Sequence, residues 1–181
     1  MTWIKKILVA LVLVTGIALL ALLAAGMRGG AGEMDVAVEI NRPAAAVFPW
    51  LDEPGKLKQW VSWLKEIRPL SPGQHGVGVK QIWVMEDRNN GGAPMEIFKE
   101  STAFDPPRRL EAKLSAKGLF SGVASYELIE HAGRTTVRSR SRFVYQQWFA
   151  RLLEPLITPA ASKKQADDFA ALKRLAEAFA P

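Results

Sequence analysis

VEINRPAAAVFPWLDEPGKLKQWVSWL, residues 38–64, decides how the rest of this chain is read. Alternating Val36, Val38 and Ile40 make the stretch over 35–41 a short strand with one apolar face. Asn41 is a residue type suited to capping a helix. Pro43 stands just inside the helix start, where its fixed φ and missing N–H cost nothing. Residues 43–51 favour helix, with Val47, Trp50 and Leu51 sharing a face. Glu53-Pro54-Gly55 then turns the chain into a second short helix over 55–61, and Trp60 and Trp63 close it as W-x-x-W.

Working outward, the next 85 or so residues read as strands and turns. Strands are expected over 64–70, 78–87, 95–103, 110–116, 123–130 and 134–145. In the second of these Val79, Gln81, Trp83 and Met85 share one face, opposite Lys80, Ile82, Val84 and Glu86. Asp87 to Gly92 carries strong hairpin chemistry, and residues 117–122, KGLFSG, form a glycine-bounded turn with Leu119 and Phe120 at its tip. Beyond Tyr145 the apolar residues recur at helix spacing, from Phe149, Leu152 and Leu156 to Phe169, Leu172 and Leu175. Pro155 and Pro159 each remove a helix donor, so the regular part of this helix is expected over 160–178.

Strand, two short helices with a W-x-x-W close, six further strands and a long final helix resemble the START-like superfamily, also called SRPBCC. Its members are of polyketide-cyclase, dehydrase and lipid-transport type. The resemblance covers nearly all of residues 35–180 and implies an α+β helix-grip fold. In that fold a curved antiparallel sheet of about seven strands wraps the C-terminal helix and leaves a cavity between them. A hydrophobic small molecule or lipid is the ligand class so implied. No particular reaction is. In START-like domains the loop equivalent to Leu119 and Phe120 gates the cavity mouth, so these two are expected to form a portal.

The N-terminus adds a second element. Ile7 to Met27 carries no charge, and at about 1.5 Å per residue it reaches about 30 Å, the thickness of a bilayer core. Lys5 and Lys6 precede it and Arg28 alone follows closely, which keeps the N-terminus in the cytoplasm. The expected organisation is a cytoplasmic end over 1–6, a transmembrane helix over 7–27, a flexible linker over 28–34 and the START-like domain over 35–181. The domain then lies outside the cytoplasm, in the periplasm of a Gram-negative host. A cleaved signal peptide competes with this reading, because Leu23-Ala24-Ala25-Gly26 offers small residues for cleavage.

Composition excludes several classes. Cysteine is absent, so there is no disulfide framework, thiolate nucleophile, lipoprotein anchor or cysteine-based metal site. His75 and His131 lie in separate turns, which is poor material for zinc or a hydrolytic triad. No cofactor or metal is expected. The net charge of +6 is modest, and the aromatics are not interleaved with the basic residues as in a nucleic-acid surface, so no nucleic-acid partner is expected.

The candidate cavity set follows from strand parity. Thr135, Val137, Ser139, Ser141 and Phe143 share a face opposite Arg134, Arg138, Arg140 and Arg142. The arginines look outward, paired with Glu96, Glu100, Glu111 or Glu130 or touching lipid headgroups, so the hydroxyls look in and need partners. Trp83, Met85, Phe98, Leu114, Leu119, Phe120, Ser139, Ser141 and Phe143 are the expected ligand-binding residues. No catalytic residue is assigned. A cyclase or dehydratase would need an inward carboxylate, for which Glu96, Glu100 and Glu127 are the candidates. A protein-interaction module is the third reading, with a filled cavity and an exposed apolar patch.

Overall fold

The computed structural model describes residues 3–26, 31–86 and 91–178. After α1 (Trp3–Gly26) come β1 (Ala31–Ile40), α2 (Ala44–Asp52), α3 (Pro54–Trp60) and β2 (Leu64–Pro69). Five strands follow in succession: β3 (Lys80–Glu86), β4 (Pro94–Asp105), β5 (Arg109–Ala116), β6 (Phe120–His131) and β7 (Arg134–Tyr145). The chain closes with α4 (Trp148–Leu152) and α5 (Glu154–Ala178).

All seven strands form one antiparallel sheet in the order β1-β7-β6-β5-β4-β3-β2. The two short helices therefore carry the chain from one edge of the sheet to the other. α5 presents Phe169, Leu172 and Ala176 to the core, where they meet Ile40, Val47, Leu128 and Val137. This is the α+β helix-grip arrangement, a seven-stranded sheet against a long C-terminal helix. Trp60 joins the layers: its indole N–H donates to the Trp50 carbonyl at 2.8 Å and its ring lies 6.0 Å from Phe169. Trp63, the second tryptophan of W-x-x-W, lies beneath the Lys164 ammonium at 4.7 Å. Lys164 pairs in turn with the buried Asp168, which accepts the Ser62 N–H.

Three local readings are corrected. Asn41 does not cap α2; its N–H donates to Glu177 at 2.8 Å, and Pro43 occupies the cap position. The free N–H of Ala44 is satisfied instead by the Glu130 carboxylate at 2.8 Å, an anion at a helix N-terminus supplied from β6. α5 is not broken at Pro159. Pro155 sits in the first turn, where donors are free anyway, and Pro159 costs only one bond near that exposed end.

The third correction concerns Gly122, read as the end of a turn but lying inside β6, which begins at Phe120. A Cβ on Gly122 would stand 2.2 Å from the Arg142 carbonyl oxygen and 2.5 Å from the Phe143 ring. The glycine marks a close approach within the sheet, not a bend. Gly122→Ala is expected to cost about 1–3 kcal/mol, because backbone must shift to admit the methyl group. Urea unfolding of the two proteins measures it; equal midpoints would contradict the packing described.

β1 starts at Ala31, opposite Val144, earlier than its apolar alternation suggests. The hairpin residues 87–90 and the linker residues 28–30 lie outside the described residues, although β3 and β4 do pair antiparallel. α1 is long and apolar enough to cross a membrane by length and composition, criteria that a signal sequence also meets.

Candidate functional site

Register fixes which side chains face α5 and the short helices. Gln81 stands opposite Lys99, Lys99 opposite Leu114, Ser101 opposite Ala112, Ala112 opposite Ala124, and Leu110 opposite Tyr126. Tyr126 and Ala124 continue the row to Ser139 and Ser141 on β7. Cross-strand partners share a face. Together they floor the concave side of the sheet.

A void of about 50 Å³ remains over this floor. Leu51 and Leu57 of the short helices cover it, and its walls include Trp83, Lys99, Ser101, Leu110, Glu111, Ala112, Leu114, Ala124 and Tyr126. It exists because small residues, Ser101, Ala112 and Ala124, occupy the centre of three adjacent strands. A water takes about 30 Å³, and full-size ligand pockets run to about 300–1,000 Å³. The void as it stands is water-sized.

Two charged residues border the void: Glu111, which is held by Arg109 and Thr102, and Lys99. Its ammonium lies 5.3 Å from the centre of the Trp83 ring, a cation–π contact, and no described carboxylate lies within ion-pair distance. Burial pushes its pKa below the ordinary lysine value, opposed by the more distant charge of Asp52. Trp83 is oriented by its own indole N–H, which donates to Gln81 Oε1 at 3.0 Å. Asp52, at the end of α2, is held by the His75 ring, which stacks near Phe104 at 6.2 Å.

Toward α5 the floor becomes a hydrogen-bonded cluster. The Gln165 amide donates to Ser139 Oγ at 2.9 Å, while Gln165 Oε1 is buried without a partner. Burial pushes the Tyr126 phenol up to about 12, with the Asp168 charge adding and the hydrogen bonds of Ser139 and Gln165 opposing. Thr135 donates to the Arg42 carbonyl at 2.7 Å. Two of the three inward hydroxyls on β7 are thus partnered within the protein.

Of the residues expected to bind a ligand, Trp83 and Leu114 line the void. Met85 is part of the packed core, Ser139 belongs to the Tyr126–Gln165 cluster, and Ser141 is buried opposite Ala124. Phe120 and Phe143 meet edge to face at 5.3 Å at one end of the sheet, and Leu119 is exposed in the turn beside them. Phe98 is on the opposite, convex face, opposite Ile82 and Ser115. The unbroken register of β4 with β3 puts Ile97, Lys99 and Ser101 inward instead, and an irregularity follows at Thr102, where Ser101 pairs with Ala112 and Ala103 with Glu111. This bulge flips strand parity, so Phe104 points inward while Phe98 points out. Lys99, Ser101 and Tyr126 were missed because a single polar residue in a strand carries no directional signal.

The three candidate carboxylates share the convex face with Phe98. Glu96, Glu100 and Glu127 have side chains 57%, 36% and 40% exposed and meet Arg68, Lys80 and Arg140. None reaches the void. The arginine row on β7 is outward, but its partners are not those expected. Arg138 grips Asp35 with a 2.7 Å bond from Nε and holds that carboxyl below the usual range. Arg134 meets Glu39, Arg142 meets Glu33 and Arg140 meets Glu127. Three of the four acids lie on β1, the neighbour that sequence order hides. Glu111 serves Arg109 and Thr102 instead. Among the described residues no group of three or more metal-ligating side chains comes together.

The sequence profile of the polyketide cyclase / dehydrase and lipid transport family matches residues 31–177. No curated protein matches the chain. A conserved protein from Geobacillus kaustophilus superposes with a TM-score of 0.66 at 12% identity, over 81% of this chain and 94% of that one. A protein from Chromobacterium violaceum gives 0.63 at 10% identity, over 82% and 99%. A protein from the dynemicin biosynthetic locus gives 0.61 at 16% identity, over 81% of this chain and 48% of the longer one. At these identities the likeness is one of fold.

Proposed function

The chain belongs to the polyketide cyclase / dehydrase and lipid transport family, and from that we propose a membrane-anchored domain that binds a hydrophobic small molecule or lipid on its concave face. One observation carries the reading: the centre of the sheet is floored by small residues under two leucines, where a solid core would place large side chains. A ligand enlarges the void by displacing Leu51 and Leu57, and Trp83, Leu110, Leu114 and Tyr126 then flank it. Lys99 gives the ligand a polarity. A desolvated ammonium without a carboxylate partner favours an apolar body ending in an acid, such as a fatty acid or an acidic polyketide.

In this reading α1 holds the domain beside the bilayer, with Lys5 and Lys6 keeping the N-terminus in the cytoplasm. Binding is favoured over turnover because Glu96, Glu100 and Glu127 point away from the void, and Glu111, which borders it, is engaged by Arg109 and Thr102.

Native mass spectrometry of the full chain, released from membranes in mild detergent, tests the reading. The expected spectrum contains a species heavier by one lipid or fatty-acid mass. A ligand-free protein that also fails to bind added fatty acids, phospholipids and polycyclic probes would overturn it.

A further inference from the structure

One end of the sheet gathers features that the cavity does not use. The start of β1 at Ala31 pairs with Val144 at the end of β7, and Phe120 at the start of β6 pairs with Tyr145. The Gln146 N–H donates to the Leu119 carbonyl at 2.8 Å, tying the β5–β6 turn to the approach to α4. α1 ends at Gly26, so the step to Ala31 spans at most about 18 Å, and α1 meets both α4 and α5. A bilayer holding α1 therefore faces this end.

The same end is apolar at its surface. Trp148 is 74% exposed, and Phe149, Leu153, Leu156 and Leu119 are exposed around it. Trp148 and Phe149 pack edge to face against each other, at 6.1 Å. Exposed Arg151 and Lys117 flank the patch. A tryptophan and leucines beside cations form the composition of a segment lying in the headgroup boundary, where the rings are half immersed and the cations meet phosphates.

We propose that α4, the first turn of α5 and the Leu119 turn dock into the bilayer interface, inserting Trp148, Phe149, Leu153 and Leu156 among the lipids. This rests on the reading of α1 as a membrane span. It turns the Leu119, Phe120 and Phe143 end of the concave face toward the lipid, so an apolar ligand exchanges with the membrane and not with water.

The chain has no cysteine, so single-cysteine variants carry a nitroxide without background. Trp148→Cys, Leu156→Cys, Leu13→Cys and Ile129→Cys are placed in full-length protein in phosphatidylcholine–phosphatidylglycerol vesicles. Collision rates with oxygen, which enters lipid, and with a water-soluble nickel chelate are then measured by electron paramagnetic resonance. Ile129 is exposed near the β6–β7 turn, at the far end of the sheet. The ratio of oxygen to nickel collisions at 148 and 156 is expected to exceed that at 129 several-fold. Ratios equal to that at 129 overturn the docking; if 13 still reports lipid, the anchor stands without it, and if 13 is also wet the anchor falls too. Protection from both reagents at 148 and 156 puts protein over the patch and overturns the proposal as well. The ligand reading is tested separately by mass, so its failure would leave these ratios unchanged.

Discussion

Phe169→Ala is expected to cost about 3–5 kcal/mol of stability and to lower Tm by roughly 10 °C. Phe169 is 1% exposed and touches three layers at once. Its ring lies 6.0 Å from Trp60 on α3 and 6.3 Å from Tyr126 on β6, while its backbone belongs to α5. Truncation removes the apolar contact and leaves a hole that Trp60, pinned by its bond to the Trp50 carbonyl, cannot move to fill. The control is Trp148→Ala, a still larger truncation at an exposed site, expected to change stability by less than about 0.5 kcal/mol. Denaturant unfolding of both proteins in mild detergent compares them. Similar losses would mean that α5 is not clamped as described.

Lys99→Met is expected to separate stability from binding. The desolvated ammonium holds its proton less tightly in the folded protein than in the unfolded chain. The unfolded chain therefore binds more protons between the lowered value and 10.5, and stability rises with pH across that window. Methionine removes this slope and stabilises the free protein by about 0.5–2 kcal/mol. Affinity moves the other way. Loss of a charge-assisted contact worth about 1.5–3 kcal/mol weakens an acid-ended ligand by about 10–100-fold. The corresponding alcohol or methyl ester is unaffected. In the wild-type protein acid binding should fade as pH rises through the Lys99 pKa, with Asp52, Glu111 and Tyr126 the other titratable groups near the void. Equal losses for acid and alcohol would show that Lys99 shapes the floor and does not recognise charge.

The sequence is most legible where each residue argues for the same face. β7 alternates arginines with hydroxyls and valine, so its inward side could be read directly, and so could that of Trp83 and Leu114. The two short helices and the W-x-x-W close were legible because proline and tryptophan punctuate them. β4 was not. Its pairing with β3 turns Phe98 outward, and a bulge after Ser101, which carries no sequence mark, turns Phe104 inward. Long-range partners were hidden in the same way. Nothing near Ala44 announces that Glu130 will satisfy its N–H, and nothing near Arg138 announces Asp35. Gly122 misled because a glycine that admits a neighbouring ring looks like one that makes a turn.

Photo-crosslinking tests whether an apolar ligand sits on the concave face. A fatty acid carrying a mid-chain diazirine is mixed into vesicles holding the full-length protein, irradiated, and the labelled peptides are identified by mass spectrometry. Label is expected within Lys80–Glu86, Arg109–Ala116 and Phe120–His131, centred on Trp83, Leu114 and Tyr126. Unlabelled fatty acid should suppress it and Lys99→Met should weaken it. Label confined to α1 and α4, unaffected by competitor, would mean that the protein meets lipid only at its surface, and would contradict the account.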